Sequence, residues 1–178
     1  MDDSFFAYLE QLELMAFFSG YPLVYALTFF ITGNQQSRIG IKGKIVSLLP
    51  FAYALVGTLY LGLQLKKLYP DYSFEHIELT MQRPYLLAWG LLSLLFWIPA
   101  LAKRPVLSLI HSLVFFFFLV RDLIVQSSAS SADNNIVRND MKIYTDSLLL
   151  NLGAFALIIL LFILFTYFKK KQRSSIRK

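Results

Sequence analysis

A long apolar run with a polar seam in it constrains this chain more than any other feature. Residues 105–126 read PVLSLIHSLVFFFFLVRDLIVQ. As a helix rising about 1.5 Å per residue, the run is long enough to cross a hydrocarbon core of about 30 Å. At about 100° per residue, Ser108, His111, Ser112, Asp122 and Gln126 fall within one arc of roughly 100°, with Phe115 and Phe118 on the same side between them. Polar and ionisable side chains are expensive in lipid, so this arc is expected to face other helices or water.

Four more apolar runs complete the pattern, at residues 14–32, 45–65, 84–102 and 143–168. With 57% hydrophobic residues, 17 Phe and 10 Tyr, the chain has too little polar surface to cover itself as a soluble domain. The expected fold is all-α: a polytopic integral membrane bundle of five transmembrane helices in one domain, 1–178, ending in a basic tail, 169–178. Arg83-Pro84 and Arg104-Pro105 open the third and fourth runs, with proline in the first turn, where its missing N–H does no harm. So little chain separates these two runs that they are expected to form an antiparallel hairpin. Residues 33–44 read as a short flexible loop. Residues 66–83 are a polar connection in which Phe74, Ile77, Leu79 and Met81 allow a short surface helix. Residues 127–142, rich in Ser, Asn and Asp, read as a mobile loop. Pro22 and Pro50 predict local kinks, and the shared Pro-x-x-Tyr-Ala-Leu around them is read as a chance echo.

Orientation follows from the basic residues, because cytoplasmic loops are enriched in Lys and Arg. If the tail is cytoplasmic, that side holds Arg38, Lys42, Lys44, Lys103, Arg104 and the six basic residues from Lys169 onward, eleven of the 17. All eleven Asp and Glu then lie on the other side or at the outer ends of spans. The N-terminus is expected outside and the C-terminus inside, in a bacterial inner (cytoplasmic) membrane. The opening residues carry acids and no Lys or Arg, so no cleaved secretory signal is expected. The net charge of +6 resides in membrane-flanking segments and the tail, so it indicates topology and no nucleic-acid partner.

The residues able to carry chemistry are few. There is no cysteine, which excludes disulfides, thiolate catalysis and cysteine metal sites. His111 lies about 9 Å inside its helix, and the only other histidine, His76, is in a loop, so the chain cannot supply a bis-histidine haem site across its bundle. The expected role of His111 is a neutral ring bonded to a neighbouring helix. Glu10, Glu13, Arg121, Asp122 and Asp146 fall near the outer ends of helices and suggest an outer polar layer, in which Arg121 snorkels outward or pairs with Glu13 or Asp146. Glu10, Tyr21, Thr28 and Thr32 share one face of the first run, and Tyr144, Ser147 and Asn151 one face of the fifth. Lys169, Lys170, Lys171 and Arg173 are candidates for contact with lipid headgroups.

No phosphate-binding Gly-rich loop, HExxH, G-x-S-x-G or lipidation motif occurs, and nothing argues for an enzyme, a cofactor or a metal. Two functions remain. The expected one is a non-catalytic integral membrane subunit or scaffold of a larger complex, with the bilayer and other membrane subunits or further copies of itself as partners. The alternative is a small oligomeric transporter, channel or proton-handling protein that uses the polar seams.

Overall fold

The computed structural model describes residues 14–32, 41–70, 72–73, 84–129 and 134–175. Among them every regular element is helical and no strand occurs. In chain order these are α1 (Leu14–Ser19), α2 (Tyr21–Thr32), α3 (Ile41–Leu68), α4 (Pro84–Leu91), a 3-10 segment (Leu92–Trp97), α5 (Pro99–Ala102), α6 (Pro105–Ala129) and α7 (Asn134–Ser175).

The first apolar run is interrupted at Gly20, between α1 and α2. Here the backbone comes so close to α7 that a Cβ at Gly20 would stand 2.7 Å from the Ser147 carbonyl carbon. Pro22 follows at the second position of α2, where a missing N–H costs little. Pro50, by contrast, lies inside α3, which continues from Ile41 to Leu68.

The third run is not one α-helix. After α4 it tightens into 3-10 geometry, then breaks at Ile98, whose φ of −73° and ψ of 121° are extended. Ile98 precedes Pro99, and the proline ring disfavours the α conformation in the residue before it. Ser93 of the 3-10 segment packs into the space left by Gly57 on α3, where a Cβ would overlap its hydroxyl oxygen.

The connection at residues 127–142 also differs from the loop expected of its composition. α6 continues to Ala129 and α7 begins at Asn134, so most of the stretch is helical. The apolar runs on either side nucleate these helices, and adding a residue to an existing helix is far easier than starting one. The surface helix expected from Phe74 to Met81 lies outside the described residues.

Aromatic contacts set the helix directions. Phe17 meets Tyr60 and Tyr21 meets Tyr53, so α1–α2 and α3 run antiparallel. Phe18 stacks on Phe115 at 4.7 Å while Tyr21 bonds Ser108, which makes α6 antiparallel to α1–α2 as well. Phe17, Phe18, Tyr21, Tyr53, Tyr60 and Phe115 form the fully buried centre, largely in edge-on and offset contacts that suit their ring quadrupoles.

Two described helices are long and apolar enough to cross a membrane, Gly43–Leu68 and Tyr144–Gln172. Phe17–Thr32, Tyr85–Trp97 and Pro105–Arg121 are shorter apolar segments. The two long helices differ in setting, since 50% of the apolar window of the first is buried in the bundle and 17% of that of the second. α7 packs on the bundle as far as Ile158 and Ile159, and its turns from Leu160 to Phe168 are exposed on every side.

Candidate functional site

Ser108, His111 and Ser112 project from successive turns of α6 into the bundle, where all three are buried. The His111 ring is bonded at both nitrogens. Its Nε2 lies 3.0 Å from the carbonyl oxygen of Trp89 on α4, and its Nδ1 lies 2.7 Å from the hydroxyl of Tyr53 on α3. A carbonyl can only accept, so Nε2 carries the hydrogen, and in the neutral ring Nδ1 accepts from Tyr53. The Trp89 indole stacks flat on the imidazole, with centroids 4.8 Å apart and an interplanar angle of 4°, and its Nε1–H donates to the His111 carbonyl at 3.3 Å. Tyr53, Phe96 and Phe115 close the other sides of the ring. One side chain thus ties α6 to α3 and α4.

One turn earlier on the same seam, the Tyr21 and Ser108 hydroxyls are 2.7 Å apart. Ser108 donates to the Pro105 carbonyl, also at 2.7 Å, which leaves it to accept from Tyr21. Ser112 donates within its own helix to the Leu109 carbonyl. Thr28 and Thr32 do the same in α2, where Thr28 donates to the carbonyl of Val24 and Thr32 to that of Thr28.

A second buried polar cluster lies where α1 crosses α7. The Gly20 N–H donates to Ser147 Oγ at 3.0 Å, and Ser19 and Ser147 bring their hydroxyls within 3.3 Å of each other. Asn151, one turn along α7, donates through Nδ2 to the carbonyls of Phe17 (2.8 Å) and Ser147 (2.9 Å). Both acceptors are carbonyls, so the amide orientation is set, and the buried Oδ1 is left without a hydrogen-bond partner. Gly20 is required here because the neighbouring atoms are backbone and cannot rotate away.

The residues assigned to an outer polar layer are described only in part. Arg121 is exposed and Asp146 half-buried. Glu10 and Glu13 lie outside the described residues, and of Asp122 only the helical backbone is described. Lys169, Lys170 and Lys171 are exposed on the last turns of α7, which also carries the backbone of Arg173. Among the described residues no group of three or more His, Asp or Glu is placed to hold a metal ion.

Tyr53, Trp89 and Ser19 have direct parts in these clusters that periodicity did not reveal. Tyr53 lies mid-helix in a run without a polar stripe, so its hydroxyl shows no partner until α6 is packed beside it. Compared with known protein families, curated proteins and solved structures, the chain matches none of them.

Proposed function

We propose that this protein is an integral membrane scaffold, a non-catalytic subunit of a larger membrane assembly. In this reading the five apolar runs cross the bilayer, the N-terminus is outside, and the C-terminus faces the cytoplasm of a bacterial cell. The antiparallel setting of the first run against the second and the fourth supports that path, and so does the uneven distribution of Lys and Arg.

The observation that carries the scaffold reading is how the seam is used. His111, Tyr53, Tyr21 and Ser108 bond to one another or to backbone across helices, as interhelical polar groups in membranes commonly do. With its polar groups engaged internally, the seam serves to hold the bundle together. One observation favours the small-transporter alternative: the helix break at Gly20 lies beside the unpartnered Asn151 Oδ1, and interrupted helices are where many transporters bind substrate or ions.

Gentle detergent extraction followed by native mass spectrometry tests the choice. A stoichiometric complex, homomeric or with another membrane protein, is the expected result. A solitary monomer that transports a solute after reconstitution into pure lipid vesicles would overturn it. The topology has its own test in this cysteine-free chain. Cysteines replacing Ser130 and Ser174 should be labelled from opposite sides by an impermeant thiol reagent, and labelling of both in intact cells would end the five-span path.

A further inference from the structure

We infer that the end of α7 binds anionic phospholipid, with the headgroups gathered around the helix as a ring. This rests on the membrane reading above and specifies which lipid that end of the chain selects.

The geometry begins where α7 leaves the bundle. Leu160, Leu161, Phe162, Ile163, Leu164 and Phe165 are consecutive and all exposed. At about 100° per residue, six consecutive positions go more than once around a helix, so this surface is apolar on every side. A protein partner covers one face of a helix, whereas acyl chains surround it. After Thr166 come Tyr167 and Phe168, 64% and 60% exposed, in the place where aromatic residues anchor a span at the headgroup level.

Directly after them come Lys169, Lys170 and Lys171, all exposed, and then Arg173. α7 continues to Ser175, so these positions are held on a rigid rod. Successive positions differ by about 100°, which spreads Lys169, Lys170 and Lys171 over three sides. No Asp or Glu occurs between residues 147 and 178. Cations distributed around an apolar rod match a surrounding layer of phosphate headgroups. Near an anionic surface, such residues attract lipid strongly enough that each is worth roughly fivefold in affinity, or about a hundredfold for three.

The test uses the full chain in zwitterionic detergent with fluorescent phosphatidylglycerol and phosphatidylcholine as probes. Phosphatidylglycerol should bind more tightly, and the combined K169Q, K170Q and K171Q substitutions should weaken it by about a hundredfold. The matching Lys→Arg set should retain it, which separates charge from damage to the fold. Equal binding of the two lipids, or a preference unmoved by the Gln set, would overturn the inference. Alkaline carbonate washing of native membranes separates this from failure of the membrane reading. Protein released by the wash refutes the membrane reading itself, while protein retained without lipid preference refutes only the anionic ring.

Discussion

Tyr53→Phe removes one oxygen from a side chain that is 0% exposed and leaves its ring contacts with Phe18, Tyr21 and Phe96 in place. What is lost is the 2.7 Å bond to His111 Nδ1. The imidazole then keeps its bond to the Trp89 carbonyl but holds a buried acceptor with no donor. In a soluble core such an orphan costs about 1–3 kcal/mol. Interhelical hydrogen bonds in membranes measure about 0.6 kcal/mol on average and up to about 1.7, because the unfolded chain in lipid also finds partners. A loss of about 1 kcal/mol is therefore expected for Tyr53→Phe. His111→Leu should cost more, since it removes both ring bonds and the flat stack on Trp89. The double variant isolates the shared bond, with a coupling of about 0.6–1.7 kcal/mol. Unfolding by increasing SDS in mixed micelles, followed by tryptophan fluorescence, reads all three. Trp89 lies against the site and is one of only two tryptophans, so the signal is local. Additive losses, with coupling near zero, would refute the claim that Tyr53 and His111 tie α3 to α6.

Three further outcomes follow from the packing. Gly20→Ala should destabilise by about 1–3 kcal/mol, because the new Cβ meets the Ser147 backbone, whereas Gly153→Ala and Gly62→Ala, with nothing within 4 Å, should be neutral or stabilising by up to about 1 kcal/mol; SDS unfolding of the three variants measures the contrast. Ser147→Ala should cost about 1–2 kcal/mol by depriving the Gly20 N–H of its acceptor, and Ser147→Thr, which keeps the hydroxyl, should recover part of that loss in the same assay. Arg121→Ala should change stability by no more than about 0.5 kcal/mol, since the side chain is exposed; a larger loss that Asp146→Asn diminishes would show a pair between α6 and α7.

The all-helical character and the main buried faces could be read from the sequence because lipid and a packed bundle impose the same local rule. Apolar side chains turn outward or pack, and polar ones must find partners. That rule made the Ser108, His111 and Ser112 side of α6 and the Ser147 and Asn151 side of α7 recognisable from spacing alone. Helix ends were less legible. Residues 134–142 have the composition of a loop, yet the apolar run that follows carries the helix through them. Residues 84–102 have the composition of one span, yet Pro99 and the packing of Ser93 against Gly57 divide it. Only the tertiary structure could decide which helix supplies each partner. That His111 meets Tyr53 and a carbonyl of α4, that Gly20 lies against Ser147, and that α7 outruns its neighbours after Ile159 all depend on how the helices cross. Periodicity records which way a side chain points around its own axis, and it holds no information about the distance or tilt of the next helix.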